Sequence, residues 1–206
     1  MQTTQKIDFP FKSWKRLYNK FSDKTCSYEF LKYIISDTDC DYSFEIIYEG
    51  VKIYIRALDI EYAKYKGTHL GNGSSKDKNF EIWIEIVEPK QTFHLHKRIS
   101  ILNFFNKLIG NSIDVSKSRF LEGYQLNGDK KFTPLTPSLE FISDFTGNCV
   151  ILNNFIDPKT AKYYLVFSTL VWQTDYDKIL KLIDNMYNLY KSYQKVINDF
   201  IYDIEN

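Results

Sequence analysis

Residues 174–206 read TDYDKILKLIDNMYNLYKSYQKVINDFIYDIEN, and the spacing of their apolar side chains frames everything before them. Tyr176, Ile179, Leu180, Ile183, Met186, Tyr187, Tyr190, Tyr193, Ile197, Phe200, Ile201 and Ile204 recur every three or four positions, which puts them on one stripe of a helix. Thr174 is the expected N-cap, and Asp177 three residues on completes a capping-box pattern. No Gly or Pro interrupts the run. At the rise of an α-helix it is about 45 Å long, enough to cross a whole domain. The spacing predicts a brace laid over a β-sheet.

Two hairpins supply that sheet. Tyr42, Phe44, Ile46 and Tyr48 alternate with Ser43, Glu45 and Ile47, Glu49-Gly50 makes a two-residue turn, and Val51, Ile53, Ile55 and Ala57 alternate on the way back. Pairing about that turn sets Tyr48 against Val51, Ile46 against Ile53 and Phe44 against Ile55 on one face, with Glu45 opposite Tyr54 on the other. A second alternation runs Phe80, Ile82, Ile84, Ile86. With Pro89-Lys90 as its turn and Thr92–Arg98 as the returning strand, it sets Ile86 beside Phe93 and Ile84 beside Leu95. The other face then holds Glu85 across from His94, Trp83 across from His96, and Glu81 across from Arg98.

The remaining elements are shorter. Phe11–Phe21 is a basic amphipathic helix carrying Trp14 and Leu17, Tyr28–Ile35 fits helix and edge strand alike, and Ile101–Ile109 reads as a helix stopped by Gly110. Asn111–Phe120 is polar and turn-like, and Gly123–Leu126 reads as a strand closing at Asn127-Gly128. Thr136 and Pro137 open a helix ended by Gly147, while Cys149–Asn153 and Tyr163–Trp172 are buried strands joined through Asp157-Pro158. Tight turns between consecutive strands imply antiparallel pairing. The expected fold is one α+β domain over residues 1–206: five to seven mainly antiparallel strands against the long C-terminal helix and shorter helices.

Composition narrows the function classes. In 206 residues, 27 Lys and Arg almost balance 26 Asp and Glu, so the strong basic excess of a nucleic-acid binder is missing. Three cysteines (Cys26, Cys40, Cys149) without C-x-x-C spacing do not make a disulfide framework and fit a reducing compartment. The N-terminal residues lack the apolar core and cleavage site of a signal peptide, and Tyr163–Trp172 is about half a membrane span. A cytoplasmic protein without stable membrane insertion is expected.

The chemistry-bearing residues are few. His94 and His96, two apart on a strand, project to the same side, and Glu85 in the register above adds an oxygen, giving a zinc- or iron-compatible set. The third histidine, His69, lies in Lys66–Asn79, a glycine-rich loop with Gly71 and Gly73 but no phosphate-loop or dinucleotide pattern. That loop and the face bearing Trp83 form the expected binding surface: Trp83, His69, Gly71, Gly73. No nucleophile motif and no cofactor fingerprint is present, so no catalytic residue and no cofactor is expected.

Several short motifs carry a family likeness. Glu49-Gly50-Val51 in a hairpin, Leu108-Ile109-Gly110, Ser112-Ile113-Asp114 and Phe120 precede a strand ending Asn127-Gly128-Asp129, then Leu135-Thr136 and a helix. From Tyr42 to Tyr193 this resembles a set of uncharacterised bacterial domains of unknown function, with Leu121 where an Asp usually follows the Phe. The resemblance implies an antiparallel α+β fold and supplies no activity or functional residue. The function expected is a non-enzymatic bacterial protein-binding or interaction module (accessory, immunity or regulatory), its partner another protein or a second copy of itself. The alternatives are a metal-dependent hydrolase or metal-binding protein at His94 and His96, and a peripheral membrane protein using Phe11–Phe21.

Overall fold

Alternating side chains make two-faced strands, and nine of them among the described residues join in one sheet. The computed structural model describes residues 11–22, 29–35, 42–61, 76–89, 92–97, 112–113, 115, 118–145, 150–157 and 160–205. The strands are β1 (Glu29–Ile35), β2 (Tyr42–Tyr48), β3 (Val51–Glu61), β4 (Lys76–Ile86), β5 (Phe93–Lys97), β6 (Ser112–Ile113), β7 (Tyr124–Gly128), β8 (Val150–Asp157) and β9 (Lys162–Thr169). They lie in the order β1-β2-β3-β4-β9-β8-β5-β7-β6, and every neighbouring pair is antiparallel. Seven strands thus sit between two edge strands, β1 and the two-residue β6. The architecture is α+β, with helix α1 (Lys12–Ser22), helix α2 (Tyr176–Glu205) and a 3-10 helical run (Lys130–Phe145) beside the sheet.

The β2–β3 hairpin pairs Tyr48 with Val51, Ile46 with Ile53, Phe44 with Ile55 and Glu45 with Tyr54. Glu49 and Gly50 both take positive φ (49° and 77°), as a two-residue turn matched to the strand twist requires. The second expected hairpin does not form. β4 continues the meander from β3, and its other edge takes β9, not β5: Ile86 pairs with Tyr163, Ile84 with Leu165 and Phe80 with Thr169. β5 lies two strands further on, between β8 and β7. Alternation specifies which face a strand buries but not which strand lies next to it, and β9 complements β4 as well as β5 does. Lys76–Asn79, expected in the glycine-rich loop, belong to β4.

One face of the sheet is a continuous apolar floor. Across it run Ile55, Ile82, Phe167, Leu152, Leu95, Leu126 and Ile113, each paired to the next and each buried. Helices α1 and α2 and the Lys130–Phe145 run pack here. Trp14 of α1 meets Phe44 and Phe80 edge-on (5.1 and 6.4 Å between centroids), Phe141 and Phe145 of the 3-10 run lie against Phe167, and Tyr193 of α2 reaches Phe93. With Trp14, Leu17 and Phe21 in the core, the apolar side of α1 is committed to the sheet rather than to a membrane surface. No helix among the described residues is long and apolar enough to cross a membrane.

α2 lies on the sheet as the spacing predicts as far as Ile197; the side chains of Phe200, Ile201 and Ile204 lie outside the described residues. Its buried side chains are Ile179, Leu182, Ile183, Met186, Leu189, Tyr193, Val196 and Ile197, each worth about 1.5–3 kcal/mol of apolar burial. Leu180 and Tyr190 pack at the rim. The cap is Asp175, not Thr174: its Oδ1 accepts from the Lys178 N–H at 2.9 Å, and its carbonyl takes the Ile179 N–H. The helix expected from Pro137 starts earlier, at Lys130, where Asp129 Oδ1 accepts from the Lys131 N–H. Pro134 and Pro137 both fall inside it, so Thr136 is interior and its hydroxyl is buried without a partner.

Asn127-Gly128 is not a turn either. Both residues lie within β7, opposite His94 and Phe93. Gly128 is needed there because a Cβ would come within 2.6 Å of the Thr92 carbonyl, at a φ of +143°.

Candidate functional site

The second face of the sheet carries the chemistry, because each inward residue sends its neighbours outward. One row crosses it from Glu45 through Tyr54, Trp83, Val166, Asn153 and His94 to Asn127, each paired with the next across the strands. Its two ends differ in kind: one is aromatic, the other consists of histidine and amide side chains.

At the aromatic end, Trp83 touches Tyr164 (5.2 Å between centroids) and Phe155 (5.8 Å), and Tyr164 meets Tyr54 edge-on at 5.8 Å. The Arg56 guanidinium sits over the Trp83 ring at 5.1 Å. Glu81 holds both, accepting from Trp83 Nε1–H at 2.8 Å and lying 3.7 Å from the Arg56 guanidinium. Further along the strands Lys162 Nζ donates to both Glu85 oxygens, at 2.8 and 2.9 Å. Phe155 is 38 % exposed and Trp83 is half-buried, so the cluster presents apolar surface rimmed by paired charges. Burial pushes the Tyr54 phenol up, reinforced by Tyr164, Glu45 and Glu85, so it stays a neutral hydrogen-bonding group.

At the other end, His94 and His96 stand side by side with ring centroids 4.8 Å apart and planes tilted by 41°. Asn153 and Asn127 flank His94 on the neighbouring strands, and Gln125 lies opposite His96. Burial lowers both imidazole pKa values, and the charge on His96 lowers that of His94 further, so both rings favour the neutral form. Gln125 is 5 % exposed, and its Nε2 donates to Asn127 Oδ1 at 2.8 Å. Its Oε1 and the His96 Nδ1 are buried without a hydrogen-bond partner.

The expected site residues therefore separate. His94 and His96 are together, but Glu85 faces Tyr164 and is held by Lys162. Two strands lie between Glu85's strand and the histidines, a lateral gap of about 14 Å. Trp83 faces Tyr54 and Val166, not His96. No group of three or more His, Cys, Asp and Glu suited to a metal occurs among the described residues. His69, Gly71, Gly73, the Ile101–Ile109 segment, Cys26, Cys40 and Cys149 lie outside the described residues. Asp129 and Asp175 cap helical segments. Gln125, Asn153, Tyr164 and Phe155 carry no sequence signal of their own; the β4–β9–β8–β5 strand order reveals them.

Comparison with known proteins brings no relative: no protein-family model, no curated protein and no solved structure matches the chain.

Proposed function

We propose that this chain is a non-enzymatic protein-binding module, accessory or regulatory in role, that docks its partner on the outer face of the sheet around Trp83. The observation that carries the reading is the Tyr54–Trp83–Tyr164–Phe155 cluster, half-open to solvent and clamped by Arg56. Binding energy at protein interfaces concentrates in rigid aromatic and arginine side chains ringed by polar contacts. Helices cover the inner face, whereas this one presents preorganised aromatic rings whose ordering cost is already met by packing. Its charges are internally paired, Arg56 with Glu81 and Lys162 with Glu85, so the patch has little net field. The partner is a protein surface with an apolar centre and mixed charge, recognised by contact more than by electrostatic steering.

A photo-reactive phenylalanine analogue at Phe155 tests this in cells, with the same analogue at the exposed Thr133 as the comparison. Covalent capture of one protein of defined mass at position 155 and not at 133 is expected, whether another chain or a second copy, and Trp83→Ala should abolish it. No adduct at 155, or equal labelling at both positions, overturns the proposal.

A further inference from the structure

The histidine end of the outer face has features the protein-binding reading does not use. Two imidazoles meet on one strand, and the Nδ1 of one of them, His96, and the amide oxygen of Gln125 across the ladder are buried without a partner. Leaving such groups unpaired costs about 1–3 kcal/mol each, and a bound ion is one of the partners that can satisfy them.

The ring separation is informative. A transition ion bonds an imidazole nitrogen at about 2.0–2.1 Å and then lies about 3.2 Å from that ring's centroid. Two rings sharing one ion at an angle of about 90–110° have centroids about 4.5–5.2 Å apart. His94 and His96 are 4.8 Å apart and tilted by 41°, neither splayed nor in a parallel stack. Gln125, directly across from His96, has its Nε2 engaged by Asn127, which turns the amide oxygen away from Asn127. The residues paired with His94 on the adjoining strands, Asn153 and Asn127, are uncharged, so no carboxylate or cation is directly opposite it.

We propose that His94, His96 and Gln125 form a binding site for a late first-row divalent transition ion, the imidazole nitrogens supplying the strong bonds and the Gln125 amide oxygen a weaker third. The donor set selects the ion. Two nitrogens and a neutral oxygen suit Cu2+, Ni2+ and Zn2+, with Cu2+ tightest, whereas Mg2+ and Ca2+ require carboxylates that the site lacks. This site differs from the one expected from sequence, whose oxygen donor was Glu85. It stands independently of the Trp83 surface, since photo-capture at position 155 tests only that surface.

The test is calorimetric titration of the full, tag-free, chelator-treated chain with Cu2+, Zn2+ and Mg2+, accompanied by NMR of the histidine ring protons. One Cu2+ per chain is expected, Zn2+ binds more weakly, Mg2+ does not bind, and Cu2+ broadens the His94 and His96 signals. His94→Ala and His96→Ala each weaken binding at least about 10-fold, and Gln125→Leu weakens it by about 3–10-fold. Gln125→Glu, which exchanges an amide for a carboxylate, tightens it, a gain that a purely structural glutamine would not give. Where an alanine variant does not fold, the corresponding glutamine variant replaces it. Unchanged affinity in the histidine variants, Mg2+ uptake equal to that of Cu2+, or no ion bound overturns the site. Gln125→Glu binding no tighter than the unaltered chain removes Gln125 from the donor set.

Discussion

Removing one oxygen atom, by Tyr193→Phe, probes the docking of α2 at its centre. Tyr193 is 1 % exposed, stacks on Phe132 (5.8 Å, 10° between planes) and meets Phe93 at 6.3 Å. Its hydroxyl accepts from Asn154 Nδ2 at 2.9 Å, while Asn154 Oδ1 accepts from the Phe93 N–H at 2.9 Å. The hydroxyl therefore ties helix to sheet through one amide. Phenylalanine fills the same space, so no cavity opens, and the loss is one buried hydrogen bond worth about 1–2 kcal/mol. For a chain of this size that lowers Tm by about 2–8 °C. A second signature lies in alkali. Burial pushes the Tyr193 phenol up to about 12, with the Asn154 N–H pulling the other way. Between about pH 10 and 12 the folded chain keeps a proton that the unfolded chain gives up, so this group's stabilisation falls as pH rises. The variant has no such loss, and the stability gap between the two proteins narrows by about 1 kcal/mol by pH 11. Urea unfolding at pH 7, 9 and 11 measures both effects. A variant within about 0.3 kcal/mol of the unaltered chain at pH 7, or a gap that does not narrow with pH, would refute the reasoning.

Gly128→Ala forces a Cβ to within 2.6 Å of a backbone oxygen at a φ of +143° and costs about 2–4 kcal/mol, read as a fall in the urea midpoint. Trp14→Ala empties the space between Phe44 and Phe80 and costs about 3–5 kcal/mol by the same measurement. Ala161 sits at a φ of +55° in the β8–β9 turn, so Ala161→Gly raises stability by about 0.5–1 kcal/mol, the relief of strain exceeding glycine's entropy. Both histidines have lowered pKa values, so below about pH 6.5 the unfolded chain binds protons that the folded chain resists. The histidines' contribution to the stability of the chelator-treated protein is therefore full above that pH and declines below it, and the double variant His94→Asn, His96→Asn flattens the decline.

The β2–β3 hairpin was legible to the residue because its register information is local: an alternation, a two-residue turn and one face to bury. β4 and β5 show the same alternation, yet the inference failed there because the partner of β4 is a strand 77 or more residues further along the chain. The C-terminal helix was legible as a helix, but Leu182, Leu189 and Val196 could be assigned to its buried side only once its packing against the sheet was known. At the site, the two histidines were visible as an i, i+2 pair on a strand. Gln125 was not, since a lone glutamine in a short strand looks like any solvated residue until its neighbour across the ladder is identified.

The joint between β4 and β9 has a consequence for how the chain is made. Glu85 and Lys162, which bond across it, are 77 residues apart. During synthesis the amino-terminal meander is complete while β4 still has a row of unpaired amides and carbonyls, apolar on one side. That edge stays open until the ribosome has emitted the closing strand, at the usual pace on the order of several seconds. A chain that stalls in that interval presents an adhesive border to its neighbours, so factors that shield nascent polypeptides matter most for this protein between its two halves.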